Sequence, residues 1–177
     1  MHLPLRHATP DDLPALRRLI DASVRELSRG FYSEAQVESA LRYVLGPDTQ
    51  LISDGTYYVL PGGEVLAAAG GWSRRRTLYG GDQMKLAEDP ELDPATEPAR
   101  IRAFYVHPAF ARRGLGRMLL AHCSRAAKTA GFRSLELMST LPGVPLYTAM
   151  GFQPIEDSVR TLPDGVELPF VRMGKPL

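Results

Sequence analysis

The chain has 177 residues, 44% of them hydrophobic, which suits one globular domain over residues 1–177. Lysine and arginine total 21 against 20 aspartates and glutamates, a formal net charge of +1, so the basic excess of a dedicated nucleic-acid binder is missing. A single cysteine, Cys123, excludes an internal disulfide framework and a cysteine-cluster metal site, and it fits a reducing, cytoplasmic compartment.

The start, Met1 to Arg6, has no long apolar stretch, so no secretory signal is expected. No run of about 18 apolar residues predicts a membrane-crossing helix. Leu3 to His7 reads as a short first strand. Thr9-Pro10-Asp11-Asp12 then opens a helix, with Thr9 as N-cap, Pro10 in the first position and acids in the first turn. Leu13, Leu16, Ile20 and Val24 follow at helical spacing, and Gly30 ends the region. Ser33 and Gln36 form a capping box for a second helix, whose apolar face is Val37, Ala40, Leu41 and Val44. Gly46-Pro47 stops it.

Thr56 to Leu60 and Glu64 to Trp72 read as a hairpin around Pro61-Gly62-Gly63. Gly70-Gly71 in its second strand marks a bulge or a close approach of backbones. Ser73 to Pro98 is a long connection holding Arg74-Arg75-Arg76 and an acidic, proline-spaced segment. A mobile flap beside the site is the expectation for a loop of this length. The arginine run is expected to be solvated or paired with the acids between Glu88 and Glu97.

Ile101 to Val106 is a buried strand, closed by His107-Pro108. A tight loop with Arg112, Arg113, Gly114, Gly116 and Arg117 leads into a helix from about Gly114 to Ala130, with Gly131 just beyond its end. Leu135 and Leu137 lie on another strand. Leu146 to Met150 forms a short helix ended by Gly151. Phe152 to Val159 and Val166 to Val171 form a final hairpin around Pro163-Asp164-Gly165. The order implies an α/β layer fold with a mixed sheet.

A strand feeding a glycine loop into a helix N-terminus suits an anion. Backbone N–H groups point outward there, and the helix dipole favours negative charge. Glycines let a phosphate approach the backbone, and arginines add charge-assisted hydrogen bonds. The stretch therefore reads as a pyrophosphate cradle. A dinucleotide fold needs a third glycine where this chain has Leu119. A P-loop needs Lys followed by Ser or Thr where this chain has Arg117-Met118. Neither alternative fits.

The segment from Val106-His107-Pro108 through Arg112-Arg113-Gly114-Leu115-Gly116-Arg117 to Leu120 resembles the strand, pyrophosphate loop and helix of the GNAT superfamily of acyl-CoA-dependent N-acetyltransferases. Pro145-Leu146-Tyr147-Thr148-Ala149-Met150-Gly151-Phe152 resembles that family's tyrosine-bearing helix, at the matching separation. The resemblance implies a mostly antiparallel central sheet flanked by helices, with a splayed strand pair that holds acyl-CoA. It implies acetyl-CoA as cosubstrate and direct transfer of the acetyl group to a primary amine in a ternary complex. Phe104, Tyr105 and Val106 would pair with the pantetheine arm, and an N–H there would face the developing oxyanion. Arg112, Arg113, Gly114, Leu115, Gly116 and Arg117 would hold the pyrophosphate. Tyr147 would be the catalytic acid, protonating the leaving thiolate.

The chain departs from the family pattern at three places. Ala111 stands where an Arg or Gln often begins the loop, so the loop's charge must come from the three arginines. Thr140 stands where an Asn often contacts the cofactor, and it offers a hydroxyl. The central strand carries Arg100 and Arg102 where some relatives place a glutamate base. Tyr105, His107, Glu97 and Glu34 remain as candidate bases, acting directly or through water. Tyr32 and Glu34 fall where the family places its acceptor loop.

The acceptor is expected to be a small-molecule or peptide amine. Neither nucleic acid nor membrane is expected as a partner, and such folds often form homodimers. The alternative is a non-catalytic CoA-binding sensor or interaction module. His2, His7, His107 and His122 lack metal-ligand spacing. Cys123 lacks a histidine partner for nucleophilic chemistry.

Overall fold

Side chains alternate across a strand, so a strand covered on both faces is apolar at every position. The hairpin has this character. The computed structural model describes residues 3–85 and 87–177. It forms strands β1 (Arg6–His7), β2 (Tyr57–Pro61), β3 (Leu66–Ser73), β4 (Ala99–Val106), β5 (Ser134–Thr140), β6 (Gln153–Thr161) and β7 (Glu167–Pro176). Its helices are α1 (Leu13–Leu27), α2 (Glu34–Tyr43), α3 (Thr49–Ser53), α4 (Leu115–Thr129) and α5 (Val144–Ala149). His2 lies outside the described residues.

Every residue of β3 is buried, and β2 is buried except at Pro61. Tyr57 and Val59 pack with Leu16 and Leu19 of α1, whereas Tyr58 and Leu60 pack with Leu119, Leu120 and Cys123 of α4. Helices therefore cover both faces of the sheet. The strands follow the order β1-β2-β3-β4-β5-β7-β6, antiparallel except for the β4–β5 pair. No helix among the described residues is long and apolar enough to cross a membrane.

Two irregularities of β4 organise the molecule. The first is a bulge. Ala69 pairs with Tyr105 and Gly71 with Arg102, so Ala103 and Phe104 together oppose Gly70. Ala103 has φ +53°, the left-handed region. The extra residue reverses the side-chain phase. Ala99 and Ile101 face α4, and so do Phe104 and Val106, whereas Ala103 and Tyr105 turn toward α1. The Tyr57 hydroxyl donates to the Ala103 carbonyl at 2.8 Å and holds the bulge. A Cβ at Gly70 would meet the Phe104 ring at 2.5 Å. The glycine pair thus marks both a bulge and a close approach, but the inserted residue belongs to the neighbouring strand.

The second irregularity is divergence. β4 pairs with β5 only at Ala99–Leu135 and Arg100–Glu136. Beyond Arg100 the two strands separate. β5 stays paired with β7 along its whole length, from Ser134–Pro176 to Thr140–Phe170. The β4 edge from Ile101 to Val106 is left without a strand partner.

Most predicted elements form, with shifts that have local causes. The first strand shrinks to Arg6–His7. Thr9 and Pro10 open a 3-10 turn before α1, closed by the Asp12 carboxylate accepting the Thr9 N–H at 2.8 Å. The Ser33–Gln36 capping box starts α2 as expected. The short helix α3 was not anticipated, because Thr49–Ser53 is too brief to show a period. β7 runs further than Val171 because it is an inner strand, paired on both edges.

A Cβ at Gly71 would lie 2.5 Å from the Thr56 carbonyl oxygen, a backbone atom, and 2.7 Å from the Tyr57 ring. Gly71→Ala should therefore destabilise the protein by about 2–3 kcal/mol. Urea denaturation checks this, as a lower midpoint with an unchanged slope.

Candidate active site

The divergence of β4 and β5 opens a cleft of about 790 Å³. Residues Ile101 to Val106 form its floor. One rim is built by the loop before α4, the first turn of α4, and α5. The opposite rim is built by the end of α1, the chain following α2, and residues 78–81.

The first rim exposes backbone amides. The His107 ring Nδ1 accepts the Ala109 N–H at 3.1 Å and starts a 3-10 turn over Pro108–Phe110. Arg112 at φ +64° and Gly114 at φ +80° then turn the chain into α4. No side chain caps this helix. Among the described residues, the amides from Arg112 to Arg117 find no acceptor within the chain. They are free for an anionic ligand, aided by the helix dipole. Gly116 is closely packed, since a Cβ there would come within 3.0 Å of the Leu146 side chain on α5.

Arg112 and Arg117 line the cleft, as do Gly114, Leu115 and Gly116. Arg113 does not. Its guanidinium lies over the Phe110 ring, 5.4 Å from the centroid. The cation–π contact holds it on the outer side of the loop. Phe104, Tyr105, Val106 and Thr140 line the cleft.

Tyr147 also lines the cleft, with only 9% of its surface exposed. Its ring packs between Phe104 and Phe152, with centroids at 6.4 and 5.7 Å. Gly143 makes room, since a Cβ there would sit 3.0 Å from the ring. Among the described residues the hydroxyl has no hydrogen-bond partner. Burial pushes its pKa well above the ordinary phenol value, so the group is neutral and holds its proton.

Of the four candidate bases only Tyr105 lines the cleft, and burial raises its pKa as well. His107 is occupied as a loop cap. Glu97 accepts the Asp93 N–H at 2.7 Å, and Glu34 is exposed at the start of α2. Tyr32 is a strut: its hydroxyl donates to the Pro169 carbonyl at 2.6 Å and accepts the Leu141 N–H at 3.0 Å. It joins the α1–α2 connection to β7 and to the end of β5. Cys123 is buried among apolar side chains, which raises its thiol pKa. His122 packs edge-on against Tyr58, and burial lowers its pKa.

Arg102 has a role that the sequence did not suggest. Its buried guanidinium donates to the Asp48 carboxylate at 2.7 Å, the Gly80 carbonyl at 2.7 Å and the Thr77 carbonyl at 3.2 Å. Lys85 Nζ lies 2.9 Å from the same carboxylate. Arg75 pairs with Asp54 at 2.7 Å, and Arg76 pairs with Glu97 at 3.7 Å. The long connection therefore lies beside the cleft, as expected of a flap, but it is pinned to β4 and α3. The arginine run is divided among separate partners.

The family described as acetyltransferase (GNAT) matches residues 22–152. No curated protein matches the chain. Among solved structures, the GCN5-related N-acetyltransferase of Rhodopseudomonas palustris is 17% identical with a TM-score of 0.73, over 100% of this chain and 97% of that one. The PaiA N-acetyltransferase of Thermoplasma acidophilum, solved with coenzyme A, is 16% identical with a TM-score of 0.66, over 100% of both chains. The ribosomal-protein-alanine N-acetyltransferase of Brucella melitensis is 18% identical with a TM-score of 0.63, over 99% of this chain and 100% of that one. At such identities the likeness is one of fold.

Removing Arg102 leaves Asp48 buried with Lys85 as its remaining charged partner. Arg102→Met should cost about 3 kcal/mol, the low end for breaking a buried pair. It should also speed proteolysis between Thr77 and Lys85. Denaturation and limited proteolysis of the two proteins, side by side, check both effects.

Proposed function

Because the chain belongs to the GNAT acetyltransferase family, we propose that it is an N-acetyltransferase, one catalytic domain over residues 1–177 that transfers acetyl from acetyl-CoA to a primary amine. The observation that carries this reading is one cleft in which an unpaired strand edge, a run of free amides and an unpartnered phenol meet. Acetyl-CoA supplies the activated acetyl group as a thioester.

The amides from Arg112 to Arg117 would hold the pyrophosphate, with Arg112 and Arg117 adding charge. Arg113, turned toward Phe110, would contribute only to the long-range field. The free edge from Phe104 to Val106 would hydrogen-bond the pantetheine arm as an added strand, and Thr140 would contact it from β5. An N–H of that edge would stabilise the oxyanion that develops on the attacked carbonyl. Such a donor typically contributes about 3–4 kcal/mol. The Tyr147 phenol would deliver its proton to the departing sulfur. Its raised pKa keeps that proton available across the neutral and mildly alkaline range.

A non-catalytic CoA-binding module is the rival reading, and the absence of a carboxylate among the described residues lining the cleft favours it. The free Tyr147 hydroxyl favours turnover. The location we propose is cytoplasmic, which suits a free, buried thiol at Cys123.

Two measurements test this function. Arg112→Glu combined with Arg117→Glu should weaken CoA binding about 100-fold by calorimetry while leaving the thermal midpoint nearly unchanged. Unchanged affinity would remove the cradle. Tyr147→Phe should lower kcat about 100-fold with little effect on acetyl-CoA affinity. A variant with full kcat would remove Tyr147 as the acid, and a wild-type protein that binds CoA without turnover would establish the module.

A further inference from the structure

The rim facing the cradle is where an acceptor must enter, and its chemistry is specific. It is formed by Val24 and Leu27 of α1, Phe31 beyond it, Leu45 after α2, Tyr79 of the long connection and Phe170 of β7. Phe31 is 48% exposed at the mouth, where an apolar acceptor would cover it. Tyr79 packs on Phe170, tilted by 46° with centroids 5.1 Å apart, and the two rings make an aromatic wall. The polar groups on this side are hydroxyls, Ser23 and Ser28 among them.

The charges point the same way. Among the described residues lining the cleft there is no Asp, Glu, His or Lys. The charged groups that do line it are Arg102, Arg112 and Arg117, all cations. Arg160 adds a fourth at the rim, with its guanidinium over the Tyr79 ring. Asp48, the acid behind Arg102, is buried and paired. Around a bound alkyl ammonium or polyamine, carboxylates commonly replace the lost water. Arg102 is neutralised by Asp48 and Arg112 and Arg117 belong to the cradle, so the acceptor side offers hydroxyls and hydrocarbon and, among the described residues, no carboxylate.

We propose that the acceptor is an uncharged aromatic or similarly apolar primary amine, bound against the Phe31–Leu45–Tyr79–Phe170 wall. The inference rests on the acyl-transfer function above and names its substrate class. It also accounts for the missing base. An alkyl amine with pKa about 10.4 needs a group to remove its proton, whereas an arylamine is already neutral at pH 7. The nitrogen lone pair forms the C–N bond to the acetyl carbonyl, and the C–S bond breaks. The thiolate takes the Tyr147 proton, and the proton lost by nitrogen passes through water to the tyrosinate. The products are the acetamide and CoA thiol, with Tyr147 restored.

The test uses the full-length protein. Acetyl-CoA affinity is measured by calorimetry, and CoA release is followed with 4-methylaniline, 2-aminofluorene, phenethylamine, spermidine, lysine and an alanine-terminated peptide. The arylamines should show kcat/KM at least about tenfold above spermidine, lysine and the peptide. Phe31→Asp and Leu45→Asp should each lower arylamine kcat/KM about tenfold with the affinity for acetyl-CoA unchanged. Phe31 is exposed, so its variant keeps the test valid if Leu45→Asp fails to fold. Preference for phenethylamine, spermidine, lysine or the peptide over the arylamines would overturn this inference and leave the N-acetyltransferase function standing. Arylamine turnover unaffected by Phe31→Asp would overturn the proposed wall. Acetyl-CoA binding without turnover of any amine, or no acetyl-CoA binding, would overturn both.

Discussion

Everything at the site depends on β4 losing its partner after two residue pairs. A strand edge in a sheet interior is normally satisfied on both sides, because unpaired backbone groups away from water are costly. Here β5 leaves β4 after Arg100 and commits its hydrogen bonds to β7 instead. The wedge that opens is the cleft. Its depth comes from the long pairing of β5 with β7, which fixes one wall while β3 fixes the other.

The bulge at Ala103 assigns the walls their chemistry. By reversing the side-chain phase it sends Phe104 and Val106 toward α4 and Tyr147, and Tyr105 toward α1. Gly70 is small enough to admit the Phe104 ring, and Tyr57 fixes the displaced carbonyl. Stability and function are joined at this point. The same backbone distortion that shapes the floor of the cleft is held by a buried tyrosine from the neighbouring hairpin.

The two rims are held by different forces. The cradle is a backbone device, with its geometry set by left-handed turns at Arg112 and Gly114 and by α4 starting without a side-chain cap. The rim facing it is a packing device, assembled from four separate stretches. One of its ties is electrostatic. Arg102 reaches out of β4 to hold Asp48 and the carbonyls of Thr77 and Gly80. A buried ion pair contributes little net stability against apolar replacements, but removing one partner is costly. Such a pair therefore fixes a loop in one arrangement, and here it sets the aromatic wall beside the floor of the cleft.

The sequence by itself determined the elements whose signals are local. The capping box at Ser33–Gln36, the glycine stops, the apolar strands and the Arg-rich loop feeding a helix were all legible, because each depends on neighbours within a few residues. The loop-and-helix rim of the cleft was legible for the same reason, since one continuous segment builds most of it. Tertiary structure alone decided the rest. Arg113 belongs to the loop by spacing, yet it leaves the cleft for the Phe110 ring. Glu34, Glu97 and His107 have suitable chemistry but lie outside the cleft. Arg102 reads as an anomaly in the strand until Asp48, far away in sequence, is seen beside it. The aromatic and apolar rim draws on α1, the chain after α2, the long connection and β7. No local pattern can encode the meeting of such distant residues. Only packing of the two sheet faces, and the divergence of β4 from β5, brings them to one surface.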